Sequence, residues 1–264
     1  DPNGPLVLLL HGGGQTRHAW GGTGKLLGAA GYHAVAFDAR GHGDSEWSPD
    51  GDYGQDVMVR DLECVIEGVG GRRPVLVGAS MGGGTSLVAV GEDHVDASAL
   101  ILVDIVPRIE AEGVARIKAF MVQKPDGFGL IEDVAEAIHK YQPQRKRPRR
   151  LEGLAKNVRL GSDGRYHWHW DPRFMARPRE LERRRERLTA CARRLTLPTL
   201  LVRGGISQGL MNDIAAIVAS PPVARATIKA VAGEHHARLV ASGLDEGRVQ
   251  RLRDVFGTRP VARL

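Results

Sequence analysis

Apolar residues cluster in short runs at positions 6–10, 34–37, 75–77, 100–103, 200–202 and 226–231. Most runs are continuous rather than alternating, as expected of strands covered on both faces in a parallel sheet. Between them, residues 20–30, 55–69 and 81–90 carry helix-like patterns. Each stops at glycine, at Gly31, at Gly70-Gly71 and at Gly91, where a helix end needs a left-handed residue. Strand and helix alternating in this way predict a doubly wound, mostly parallel α/β fold.

The strand rhythm stops between residues 107 and 195. Helix-like, arginine-rich segments at 113–123, 130–141 and 178–195 replace it. The expected organisation is therefore an α/β core from residues 1–106 and 196–264, with residues 107–195 forming a helical cap, or lid, inserted between two strands. Such an insertion leaves the carboxyl edge of the sheet, where open α/β folds place their ligand crevice, so it is positioned to cover a site.

Composition agrees with a folded domain: of 264 residues, 42% are apolar and 26% charged. The net charge of +6 is unevenly placed, because residues 107–195 hold 22 Lys and Arg against 12 Asp and Glu. Their densest part is Arg145-Lys146-Arg147-Pro148-Arg149-Arg150. No nucleic-acid motif accompanies that run, so it reads as a solvated loop and nucleic acid is not an expected partner. No apolar stretch is long enough to span a membrane. Cys64 and Cys191 form no motif, as expected of reduced thiols in a cytoplasm.

Chemistry concentrates in two places. Gly78-Ala79-Ser80-Met81-Gly82 lies directly after one predicted strand and before a predicted helix. A sharp strand-to-helix turn thrusts a serine hydroxyl outward, and small residues two positions either side let the backbones pass. The Met81 N–H, at the positive end of that helix, would face a developing oxyanion. His11-Gly12-Gly13-Gly14-Gln15, after the first strand, is a glycine-rich turn able to bring a second N–H close, with Gly13 the candidate donor.

With Phe37-Asp38-Ala39-Arg40-Gly41-His42-Gly43-Asp44-Ser45 between them, these motifs resemble the α/β-hydrolase superfamily, in particular its lidded bacterial serine hydrolases often labelled peroxidase-like or epoxide-hydrolase-like. The resemblance implies hydrolysis of an ester, thioester or lactone on a small molecule, without metal or organic cofactor. Epoxide hydrolases and dehalogenases of the superfamily carry Asp on the nucleophile turn, so Ser80 argues against both. The loop around Asp38 and His42 is chiefly structural in such proteins, and neither residue is nominated for catalysis. The resemblance places the catalytic histidine at His236, with His235 the alternative. The position of the usual triad acid is Gln208, which can hold an imidazole but not offset its charge. Asp104, after residues 100–103, and Asp213 are the two substitutes, and Asp104 is favoured because strand ends face the crevice.

In the lid, Trp168 and Trp170 of Tyr166-His167-Trp168-His169-Trp170 are expected to supply apolar pocket surface, and His167 with His169 lacks the third ligand a metal site needs. The expected activity is that of a cytoplasmic serine hydrolase with Ser80 as nucleophile, its oligomeric state open, homo-oligomer included. Gln208 keeps a second possibility in view, a catalytically impaired ligand-binding protein. A third is cofactor-free oxygenase or peroxidase chemistry on the same scaffold.

Overall fold

Among the described residues six strands form one sheet: β1 (Leu6–Leu10), β2 (His33–Phe37), β3 (Val75–Ala79), β4 (Ala99–Val103), β7 (Thr199–Gly204) and β8 (Ala226–Val231). They pair in the order β2-β1-β3-β4-β7-β8, every pair parallel. The computed structural model describes residues 1–71, 73–105, 111–141, 143, 151, 153–176, 180–204 and 226–231. His235, His236, Gln208 and Asp213, together with the basic run 145–150, lie outside the described residues.

Alternation along the strands explains why the sheet is wound on both faces. Leu6, Leu8, Leu10, Leu76, Leu100 and Leu102 belong to one cluster, which helices α2 (Gln55–Gly68) and α3 (Met81–Gly91) close with Val59, Leu62, Leu87 and Val88. Their neighbours Val7, Leu9, Val75, Val77, Ile101 and Val103 face the other way and pack with Trp20 and with Leu27 of helix α1 (Gly21–Ala29). Burial on both faces is what makes these strands read as unbroken apolar runs.

Chain direction reverses between β1 and β3. From β1 the chain moves outward to β2, then returns across β1 to build β3, β4, β7 and β8 on the other side. At such a switch point the loops after the two strands part and open a crevice at their carboxyl ends. The loops that part here are the His11–Gln15 turn after β1 and the Ser80 turn after β3.

Between β4 and β7 come α4 (Ala111–Val122), α5 (Ile131–Tyr141), a hairpin of β5 (Val158–Leu160) with β6 (Tyr166–Trp168), and α6 (Leu181–Arg194). The hairpin departs from the all-helical expectation for this stretch. Its turn, Gly161-Ser162-Asp163-Gly164, is closed by the Asp163 carboxylate accepting the Arg165 N–H at 3.0 Å, with Gly164 at φ 75°. Met121, Phe128, Val134, Val158, Trp168, Trp170, Phe174 and Met175 form a second core there, joined by Met58 of α2. Helix α6 instead packs with the sheet. Leu188, Cys191, Ala192 and Leu195 join the first cluster, and α6 lies so close to α3 that a Cβ on Gly91 would meet the Cys191 Cβ at 2.4 Å. Arg187 fastens it, pairing with Glu92 at 2.7 Å and with Asp56 at 2.6 Å.

Candidate active site

Ser80 joins β3 to α3 with φ 45° and ψ −103°, a conformation that L-residues adopt only when the surroundings impose it. The imposition is visible on both sides of it. The Ser80 N–H donates to the Val103 carbonyl at 2.9 Å, and the Ser80 carbonyl accepts from the Gly84 N–H at 2.9 Å. A Cβ on Gly78 would stand 2.5 Å from the Gly82 carbonyl, and a Cβ on Gly82 would stand 2.5 Å from the Leu10 Cβ. Only glycine at both positions lets β1, β3 and α3 converge so closely, and the convergence leaves the Ser80 side chain exposed to solvent.

The His11–Gln15 turn lies beside it. A Cβ on Gly12 would be 3.6 Å from the Ser80 Cβ, and the Gly82 N–H donates to the His11 carbonyl at 3.2 Å. Gln15 closes the turn from within. Its N–H donates to the Gly12 carbonyl at 3.1 Å while its side-chain oxygen accepts the Gly12 N–H at 3.0 Å. The Gly14 N–H, at φ 72°, donates to His42 Nε2 at 3.1 Å. Among the described residues the N–H groups of Gly13 and Met81 donate to no acceptor. These two were the donors expected from sequence, and a Cβ on Gly13 would come within 4.0 Å of the Met81 Sδ.

Asp104 follows β4 as Ser80 follows β3, because Ala79 and Val103 are register partners in the adjacent strands. Its N–H donates to the Val202 carbonyl at 2.8 Å and its φ is 51°, a second strained residue on the same sheet edge. The imidazole expected to stand between Ser80 and Asp104 is His236, outside the described residues.

Apolar side chains crowd the turn. A Cβ on Gly13 would reach Phe174 at 3.5 Å, and one on Gly14 would reach Met121 at 3.5 Å and Trp170 at 3.6 Å. Trp170 is thus in the first layer over the turn. Trp168 stands behind it, the two indoles stacked at 4.6 Å, both buried. Extended backbone puts residues two apart on one face, which sends the histidines to the other. There His167 Nε2 pairs with Asp163 at 2.9 Å and His169 Nε2 with Asp44 at 3.6 Å. Among the described residues no group of three or more His, Cys, Asp and Glu is placed to hold a metal ion, and no described helix is long and apolar enough to cross a membrane.

Asp38 and His42 support the site from behind. The Asp38 carboxylate accepts the N–H groups of Arg17 and Asp44, at 2.6 and 3.1 Å, and pairs with the Arg17 guanidinium. Burial alone would raise its pKa; these bonds outweigh burial and hold it below the usual carboxylate range. The Ala39–Gly43 loop also grips the inserted segment. The Gly43 N–H donates to the His169 carbonyl at 2.7 Å, and the Asp171 N–H to the Gly41 carbonyl at 2.8 Å. Sequence reading missed the bond from Gly14 to His42, because nothing local links positions 28 apart.

Residues 5–130 match the family model described as alpha/beta hydrolase fold. An esterase of Mycobacterium tuberculosis is 29% identical over 174 residues, 63% of this chain and 57% of its own length. A probable protein phosphatase methylesterase 1 of Caenorhabditis elegans is 28% identical over 174 residues, 64% of this chain and 48% of its own. The chain thus spans about half the length of the curated relatives it matches. Among solved structures, E-2-(acetamidomethylene)succinate hydrolase superposes with a TM-score of 0.74 at 22% identity, covering 96% of this chain and 92% of that one. A Mycobacterium tuberculosis esterase superposes with a TM-score of 0.69 at 25% identity, covering 96% and 84%.

Proposed function

Because this chain is an α/β-hydrolase-fold protein, we propose that it hydrolyses a carboxylic ester, thioester or lactone through an acyl-enzyme on Ser80. The observation that carries this reading is the strained, exposed Ser80 on a strand-to-helix turn, with the Gly13 and Met81 N–H groups, which donate to no acceptor among the described residues, beside it. Esterase and methylesterase relatives support the same class of bond.

In this mechanism the Ser80 hydroxyl attacks the substrate carbonyl and a histidine takes its proton. The Gly13 and Met81 amides hold the oxyanion as the tetrahedral intermediate forms, worth on the order of a hundredfold or more per donor. The histidine then protonates the leaving group, and water repeats the sequence to release the acid. His236 is our candidate base, on the strength of the family resemblance, with His235 as the alternative. Asp104 is our candidate acid, supported by its place on the strand next to Ser80, with Asp213 as the alternative. We read the inserted residues 107–195 as contributing a lid, with Trp170, backed by Trp168, as apolar wall. No cofactor enters the chemistry, and a small cytoplasmic molecule is the proposed substrate.

Labelling with a fluorophosphonate, alongside turnover of short activated esters, tests the reading. Wild type should label and turn over, and Ser80→Ala should do neither. Asp104→Asn should lower turnover on the order of ten thousandfold while leaving the fold intact. A wild type that stays inert in both assays, while a control hydrolase reacts, sinks the proposal. That outcome favours the second reading, an impaired ligand-binding protein, for which Gln208 in the usual acid position is the motivating residue.

A further inference from the structure

Two histidines that this chemistry leaves unused bridge the His11–Gln15 turn and the Ala39–Gly43 loop in opposite directions. From the first segment, His11 Nε2 accepts the Ala39 N–H at 2.9 Å, and its Nδ1 donates to the Gly12 carbonyl at 2.8 Å. From the second, His42 Nε2 accepts the Gly14 N–H at 3.1 Å, and its Nδ1 donates to the Arg40 carbonyl at 3.1 Å. A ring that accepts at one nitrogen and donates at the other is neutral, so each is the Nδ1–H tautomer. Both are buried, their centroids are 5.3 Å apart, and the Phe174 ring packs T-shaped against His42 with centroids 4.7 Å apart.

The bonds matter because of what they hold. Gly12, Gly13 and Gly14 in succession have more backbone freedom than any other tripeptide, and an oxyanion donor works only if it is already in place. Gln15 takes the Gly12 N–H and His42 takes the Gly14 N–H, so the peptide bearing the Gly13 N–H is fixed from both ends. We propose that His42 is a positioning residue, acting through Gly14 to hold the Gly13 N–H for the oxyanion. This rests on the reading of Ser80 as nucleophile. It differs from a purely structural role, which would support the loop without affecting the chemical step.

The test combines amide hydrogen exchange at Gly14, followed by NMR, with kcat and KM on a short activated ester, in wild type, His42→Leu and His42→Gln. Glutamine carries an acceptor oxygen near the place of Nε2, whereas leucine fills the volume with no acceptor. Gly14 should be protected in wild type and His42→Gln, and should exchange at least about tenfold faster in His42→Leu. In His42→Leu, kcat should fall by about 10- to 100-fold, up to the lower end of losing one oxyanion donor, with KM within about twofold. Most of that loss should return in His42→Gln.

Should His42→Leu fail to fold, His42→Asn replaces it, since its shorter side chain puts the oxygen near Nδ1 rather than Nε2; equal kcat for Asn and Gln overturns the proposal. An unprotected Gly14 in wild type, or an unchanged kcat in His42→Leu, also overturns it. A wild type inert to ester and fluorophosphonate but with Gly14 protected would sink the Ser80 reading and, with it, the catalytic part of this one, leaving the bond as a fold element.

Discussion

Replacing Gly82 by alanine tests the joint on which the whole site is built. The added Cβ would stand 2.5 Å from the Leu10 Cβ, 2.6 Å from the Leu10 carbonyl oxygen and 2.7 Å from its carbon. Ordinary carbon contacts begin near about 3.5 Å, so β1 and the first turn of α3 must separate by roughly 1 Å. No rotamer change can relieve a clash against backbone and a Cβ. Overpacking of this kind costs about 2–3 kcal/mol, which for a chain of this size lowers Tm by about 4–12 °C. The same shift should damage chemistry in the molecules that stay folded. Leu10 leads into the turn bearing Gly13, while Gly82 follows Ser80 and Met81, and the Gly82 N–H to His11 bond of 3.2 Å spans the joint. A misplacement of about 1 Å costs on the order of a hundredfold in rate. Thermal melts give the first number. Ester turnover and the fluorophosphonate labelling rate, measured well below Tm, give the second. A variant that melts within about 1 °C of wild type with unchanged turnover would show that strand and helix do not approach as described.

Three further outcomes are expected. Gly24→Ala, in the middle of α1 with only the Leu9 Cδ1 at 3.8 Å, should stabilise by about 0.5–1 kcal/mol through helix propensity and raise Tm; a fall would mean that the helix is not formed there. Burial holds the His11 pKa below 6.5, against the opposing pull of the Gly12 carbonyl and Asp38. Below pH 6.5 the unfolded chain therefore binds a proton that the folded chain refuses, so stability falls as pH drops from 6.5 toward the folded value. Melts in steps down that range should show a slope that flattens in His11→Gln, and an equal slope in both would refute it. Tyr53→Phe removes a hydroxyl that donates to buried Asp171 and accepts the Ser48 N–H at 2.9 Å, and should cost about 1–2 kcal/mol. Because burial and Asp171 push that hydroxyl up to about 12, the difference in Tm should be constant from pH 6 to 9.

Continuous apolar runs were enough to place β1 and β8 to the residue and the other sheet strands to within two residues at either end; for β1, β3 and β4 the reason is burial on both faces, which leaves no polar positions. The hairpin at β5 and β6 escaped because its strands are three residues long and its partner positions alternate too briefly to separate from noise. Its signal was nonetheless present, in Gly161 to Gly164 and the alternating His-Trp stretch. The packing of α6 was less accessible. Its arginines suggest a surface helix of the insertion, and only tertiary packing, Leu188, Cys191 and Ala192 in the first cluster with Cys191 against Gly91 of α3, brings it onto the core.

Local sequence determined what local sterics control. Glycine at 78 is demanded by the turn itself, where an added Cβ would meet Gly82 and Gly83, so the turn, its serine and the direction of α3 could be read from five letters, although the crowding at Gly82 comes from Leu10 of β1. Distance in space is a different matter, because a hydrogen bond spans only about 3 Å and carries no record of chain separation. The Gly14 bond to His42, the reciprocal bond from Ala39 to His11, and the alignment of Ser80 with Asp104 on adjacent strands exist only once the sheet has set its order. Tertiary structure alone decides these, because strand order brings together loops that the chain keeps far apart.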